Sequence, residues 1–146
     1  MFGKQTLLIV DDSENDREFM RVAFKEANFN WPMQELHDGA DAIAYLKGDG
    51  PYGDRNKFPL PAVMLLDLNM PKKNGFEVLQ WVRAQEQFKH FQIIVLTASP
   101  LPEDVKQAYC LGANSFLIKP LALKDLVKLV GCLRDWLQII RVAPLD

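Results

Sequence analysis

The chain has 146 residues, 49% of them hydrophobic, and a formal net charge of −2 at pH 7. One domain with a sizeable core accounts for that length, and scattered Lys and Arg form no basic stripe that would track a phosphate backbone, which argues against direct nucleic-acid binding. No apolar run nears the roughly 18 residues of a membrane span, and the opening MFGKQTLLIVDD meets acidic residues too early for a signal-peptide core, so the expectation is a cytoplasmic protein without membrane association.

In chain order, Thr6 to Val10 is a short apolar run that reads as a buried strand ending in Asp11-Asp12. Ser13 is a good N-cap, with Glu14 and Asp16 where the helix dipole favours negative charge. The helix it opens is expected to run to about Asn28 with Phe19, Val22, Ala23 and Phe24 inward. Met33 to His37 alternates and reads as an edge strand, and Asp38-Gly39 turns into a helix over Ala40 to Lys47 carried by Ala40, Ile43, Ala44 and Leu46.

Gly48 to Pro61 carries three glycines and three prolines and is read as a loop. At about fourteen residues it is long for a compact domain, and a tolerated surface insertion competes with a functional role. Ala62 to Leu66 is the next buried strand, and it delivers Asp67 to its C-terminal edge before Leu68-Asn69-Met70-Pro71. After the turn Lys72 to Gly75 a helix is expected from Phe76 to about Phe88, with Val78, Leu79, Val82 and Trp81 on its apolar side.

Gln92 to Leu96 is a third core strand, ending in Thr97-Ala98-Ser99. Pro100 to Leu111 reads as a short helix stopped by Gly112. Ser115 to Ile118 reads as a fourth core strand ending in Lys119-Pro120, and the last helix spans about Ala122 to Ile140. The two cysteines, Cys110 and Cys132, have no partner motif and are read as buried thiols in a reducing compartment. Strand and helix alternate throughout, which implies parallel pairing with right-handed crossovers: an α/β domain with a doubly wound parallel sheet flanked by helices on both faces.

Asp11-Asp12, Asp67, Thr97 and Lys119 close four separate strands, at the edge where open parallel sheets place their ligands. Three carboxylates gathered there repel one another, and the remedy is a hard divalent cation with oxygen ligands plus a nearby ammonium. Mg²⁺ takes one or two carboxylates together with water and phosphate oxygens, which suits a shallow acidic crevice. A carboxylate nucleophile, a metal, a lysine and a hydroxyl are the parts for phosphoryl transfer to an aspartate.

These residues resemble the receiver domains of bacterial two-component response regulators: Asp11-Asp12 after a first strand, Asp67-Leu68-Asn69-Met70-Pro71 with Asn74-Gly75, then Thr97-Ala98 and Lys119-Pro120. The resemblance runs from about Leu7 to Leu137. It implies a flavodoxin-like receiver fold of five strands in the order 2-1-3-4-5, filling residues 1–146 as a single domain with a C-terminal helix over 122–140, a short tail and no output domain. It also implies a phosphoprotein of a phosphorelay, and not an enzyme, whose Asp67 accepts a phosphoryl group from a sensor histidine kinase. By position, Asp12 would bind Mg²⁺ or Mn²⁺ directly, Asp11 largely through water, and Asp67 and the Asn69 backbone carbonyl would complete the metal's protein ligands. Thr97 would hydrogen-bond the phosphoryl oxygens, Lys119 would pair with them, and Phe116 would follow Thr97 inward as the switch aromatic. The Lys119-Pro120 bond would be cis. The long loop before the Asp67 strand, the wording from Asp67 to Gly75 and the tail around Trp136 further resemble the stand-alone regulators that serve phytochrome-type histidine kinases.

In the last helix Leu123, Leu126, Val127, Val130, Leu133, Leu137 and Ile140 form one apolar stripe for the sheet. Leu129, Cys132, Trp136 and Ile139 form a second, which suggests a homodimer or kinase-docking surface. Among rival readings, a haloacid-dehalogenase-type phosphatase needs an acid two residues after its nucleophile, where this chain has Asn69. A flavin carrier of the same topology needs a phosphate loop where this chain has DDSEND. A receiver-like scaffold that takes no phosphate is disfavoured by the intact site positions.

Overall fold

The computed structural model describes residues 5–70 and 72–145, so Pro71 of the Asp67 motif lies outside the described residues. The elements are β1 (Leu7–Val10), α1 (Glu14–Glu26), β2 (Met33–Leu36), α2 (Gly39–Lys47), β3 (Val63–Leu66), α3 (Gly75–Ala84), β4 (Gln92–Thr97), α4 (Pro102–Cys110), β5 (Ser115–Ile118) and α5 (Leu123–Ile139). All pairings are parallel, in the order β2-β1-β3-β4-β5. This is the expected doubly wound fold and the expected strand order.

Because side chains alternate along a strand, the apolar runs fill two cores at once. Leu7 and Ile9, Val63 and Leu65, and Ile94 and Leu96 face the helix pair α1 and α5, where Met20, Phe24, Leu126, Val130, Leu133 and Leu137 meet them. Their neighbours Leu8, Val10, Met64, Leu66, Ile93 and Val95 face the other side, with Ala42, Leu46, Val78, Leu79, Val82 and Ala108. Burying each such side chain stabilises the fold by roughly 1.5–3 kcal/mol. The tail crosses between the layers: Val142 packs with the α1/α5 core and Leu145 with the opposite one.

Several local expectations are corrected. The inner face of α1 is Met20, Ala23, Phe24 and Ala27, while Phe19 and Val22 are exposed, so the helix is rotated from the expected face. In α2 the buried residues include Ala42 and Tyr45, and Ala40 is exposed. The helix after Asp67 ends at Ala84, Gln85 is extended, and Glu86–Phe88 forms a separate 3₁₀ turn. Arg83 fixes this break by donating to the carbonyls of Phe88 (2.8 Å), Phe91 (2.7 Å) and Gly112 (2.9 Å). The helix α4 starts two residues later than expected, at Pro102, whose fixed φ suits a first helical turn. β5 is a half-buried edge strand with Ile118 46% exposed, not a core strand. Both cysteines are free and exposed, Cys110 on α4 and Cys132 on α5, and not buried.

The segment 48–61 is folded, not irregular throughout. It contains a 3₁₀ turn at Gly50–Gly53 and is fastened to α2 by Arg55, whose guanidinium donates to the carbonyls of Tyr45 (2.9 Å), Leu46 (3.0 Å) and Phe58 (3.3 Å). Tyr45, Tyr52 and Phe58 pack as an aromatic trio with ring centroids 5.0–6.0 Å apart. The Tyr45 hydroxyl donates to Pro59 O (2.7 Å) and that of Tyr52 to Asp41 (2.9 Å). Burial pushes both phenols up to about 12, so they stay neutral donors.

Candidate functional site

The site is assembled by strand register. Leu66 lies beside Val10 on one side and Val95 on the other, so the residues that follow leave the sheet together. Asp67 N–H donates to Val10 O and Asp11 N–H to Leu36 O, each at 3.0 Å, which fixes both acids at the last rung. On the far strand, Lys119 N–H donates to Thr97 O at 2.8 Å. The bond from Lys119 to Pro120 is trans, contrary to the cis expectation; the trans form is the lower-energy one by about 0.5–1 kcal/mol.

Asp11, Asp12 and Asp67 each offer an oxygen within 4.8 Å of the others. Asp11 and Asp67 are buried and Asp12 is exposed. Three carboxylate oxygens in this arrangement fit a hard divalent cation, because they repel one another without one and leave an open side for further oxygen ligands. Asn69 and Asp12 share an open crevice of about 440 Å³ with Leu68, Met70, Asn74 and Phe76.

The Lys119 ammonium sits inside this acidic group, 2.7 Å from Asp11 Oδ2, 2.8 Å from Asp16 Oδ2 and 3.8 Å from Asp67 Oδ2. Burial opposes its charge, but the hydrogen bonds to Asp11 and Asp16 outweigh that and hold its pKa above the usual lysine value. For Asp67 the balance runs the other way. Burial pushes its carboxyl up, the attraction of Lys119 only partly offsets this, and Asp11 adds repulsion. Thr97 is fully buried; its hydroxyl faces Asp67 closely enough to lower that carboxyl's pKa, yet it has no partner within full hydrogen-bond geometry among the described residues. A polar group added at this strand end would give that hydroxyl a closer partner.

Local chemistry explains why the loops hold these positions. Ser13 caps α1 as expected, accepting from Asp16 N–H (3.2 Å), while its own N–H donates to Asp11 Oδ1 (2.9 Å) and Arg17 donates to Asp11 O (2.6 Å). Asn74 and Glu77 form a reciprocal capping box at the start of α3, a pairing the Asn-x-x-Glu spacing could have revealed. A Cβ on Gly75 would lie 2.4 Å from Asp67 O, and one on Gly39 would lie 2.0 Å from Lys73 O. Only glycine lets the backbones approach so closely. Asp38, buried at the start of α2, accepts from Asp41 N–H (2.7 Å), and its Oδ2 lies 3.6 Å from Lys72 Nζ. Burial raises the Asp38 pKa, but the Asp41 hydrogen bond and Lys72 outweigh it and hold the carboxyl below its usual value.

The expected residues Asp11, Asp12, Asp67, Thr97 and Lys119 therefore meet at one sheet edge, with Asn69 on its rim. Asp16 is a member that sequence reasoning took only for a helix-dipole acid. Phe116 is half-buried on β5 against the α2/α3/α4 core, and its N–H donates to the Tyr109 hydroxyl of α4 (3.1 Å). Away from this edge, Leu129, Cys132 and Trp136 line a groove of about 360 Å³ against Ile94, Ser115 and Leu117, while Ile139 points away, 77% exposed. No helix among the described residues is long and apolar enough to cross a membrane.

Compared with known proteins, residues 7–131 match the family model of the response regulator receiver domain. The chain belongs to that family. It is 36% identical over 137 residues to the response regulator Rcp1 of Synechocystis sp., covering 93% of this chain and 91% of Rcp1. Among solved structures, this receiver is similar to the phosphorylated cyanobacterial phytochrome response regulator RcpA, with a TM-score of 0.88 and 27% identity over 97% of this chain and 100% of that one. It is also similar to the Mn²⁺-bound form of Rcp1, with a TM-score of 0.84 and 34% identity over 96% and 99% of the two chains. The receiver fold and its two-component signalling class follow from these matches.

Proposed function

We propose that this receiver accepts a phosphoryl group on Asp67 from the phosphohistidine of a sensor kinase, in a reaction that needs Mg²⁺ or Mn²⁺, and signals through altered protein contacts. The observation that carries the proposal is the placement of the Asp67 carboxylate, on the same strand-end cluster as Asp11 and Asp12 and 3.8 Å from the Lys119 ammonium. The likeness to Rcp1 and RcpA supports a kinase of the phytochrome type.

Asp11, Asp12, Asp67 and the Asn69 carbonyl would hold the cation, which when bound neutralises charge on the transferred group. Asp67 Oδ forms the new O–P bond as the donor's N–P bond breaks; the leaving imidazole nitrogen keeps that electron pair and takes a proton from solvent. Thr97 supplies a donor to the phosphoryl oxygens and Lys119 the compensating charge. Both groups already stand at this strand end, with Lys119 3.8 Å from Asp67, so only a short shift of its ammonium is needed.

Incubation with acetyl phosphate and Mg²⁺ should give one acid-stable, base-labile phosphoryl adduct by intact mass. It should be absent in Asp67→Asn and with a chelator present. Labelling that persists in Asp67→Asn contradicts the assignment.

A further inference from the structure

We propose that Asp16 is a positioning residue that holds the Lys119 ammonium away from Asp67 in the resting molecule, an inference that rests on Asp67 being the phosphoacceptor. Asp16 is not part of the three-carboxylate cluster. It stands on the first turn of α1, and its place there is set by the bond from its N–H to Ser13 Oγ. From that turn its carboxylate reaches a lysine 103 residues away and takes a 2.8 Å hydrogen bond.

The ammonium has three protons to give. One goes to Asp11 at 2.7 Å and one to Asp16 at 2.8 Å, which leaves Asp67 at 3.8 Å, beyond hydrogen-bond distance. The third proton is free, but drawing the ammonium inward from 3.8 Å onto oxygens at Asp67 stretches the bonds that the other two protons make. Asp11 lies within the cluster, so it stays close to any charge that gathers there. Asp16 is the partner outside it, and its side chain is 36% exposed, so water can take over its hydrogen bond. Asp16 thus sets how readily Lys119 moves onto the transferred group.

The transfer is that given above: the donor's N–P bond breaks, the Asp67 O–P bond forms, and the leaving nitrogen takes a proton from solvent. Asp16 takes no part in bond making. It changes only where the positive charge stands when the anionic group arrives.

The test is a double-mutant cycle on the whole chain, with phosphoramidate and Mg²⁺ and the rate of Asp67 labelling read by intact mass. Asp16→Asn, which keeps the side-chain shape without the charge, and Asp16→Ser are each made with Lys119 present and with Lys119→Ala. With Lys119 present, both Asp16 variants should label about threefold faster or more, the low end of coupling between charges in contact. In the Lys119→Ala background neither should change the rate. An equal acceleration in both backgrounds would mean that Asp16 acts only by repelling the incoming anion, and it overturns the proposal. So does an unchanged or slower rate in variants that melt like the parent chain. If the parent chain itself is not labelled on Asp67, the proposed function and this inference fall together; if it is labelled and the cycle is flat, only this inference falls.

Discussion

Asp67 carries an energetic cost that can be measured apart from its chemistry. Burial raises its carboxyl pKa above the usual value, so the fold disfavours the ionised form. The destabilisation is fully present when the pH is above the folded-state value. It fades as the pH falls through that value and is gone below the unfolded carboxylate value of about 3.9. Asp67→Asn should therefore melt about 2–5 °C higher than the parent near neutral pH, with the gap closing near pH 4; calorimetry of both chains at the two pH values checks this. Lys119 keeps Asp11 and Asp16 as partners in that variant, so no buried charge is stranded. At this scale the site was largely legible, because Asp11, Asp12, Asp67, Thr97 and Lys119 each mark where an apolar run leaves the core. Asp16 was not, since a helix-surface acid gives no sign of a partner 103 residues away.

Among the elements, 48–61 shows how much of a connection can be fixed by one side chain. Arg55 satisfies carbonyls from both α2 and the loop itself, and hydrogen bonds of charged groups contribute more than neutral ones. Arg55→Met should cost about 2–3 kcal/mol and open the segment to limited proteolysis, read against the thermal melt. A variant that resists protease like the parent would refute the brace. Gly39→Ala makes a second test, because a methyl group there meets the Lys73 backbone. It should destabilise by about 1–3 kcal/mol, as overpacking does, and slow labelling of Asp67 through the loop it displaces. Element existence was readable from apolar periodicity, but helix phase was less so. In α1, Phe19 and Val22 satisfy a helical spacing nearly as well as Met20, Ala23, Phe24 and Ala27. The sheet and α5 decide between them by which face they cover. The aromatic trio of 48–61 was hidden because its contacts follow no period.

For the whole molecule, strand order came within reach because strict alternation of strand and helix leaves few topologies, and each core then follows from the two-residue alternation. The extra apolar face of α5 was also readable, though only the structure sorts it into a groove, at Leu129, Cys132 and Trp136, and an outward residue, Ile139. We propose that this face serves self-association or kinase contact. Trp136→Ala should then weaken dimerisation in sedimentation or binding to the kinase by about tenfold or more, as loss of a tryptophan at an interface centre does. A chain that is strictly monomeric with and without phosphorylation, and whose kinase binding survives Trp136→Ala, removes the idea.

The close approaches at Gly39 and Gly75 have a mechanical meaning. On that flank of Asp67 the backbones leave no room for a methyl group, so Asp67 and Leu68 rest on the start of α3, and Lys73 on the start of α2, as on an anvil. The opposite flank is more loosely held: α4 buries only Ala108, and the Thr97 hydroxyl beside Asp67 lacks a partner at full hydrogen-bond geometry among the described residues. Were bulk and charge added at Asp67, the direction with room to give would be toward β4, α4 and the edge strand that Tyr109 clips, and not toward the flank packed on the two glycines.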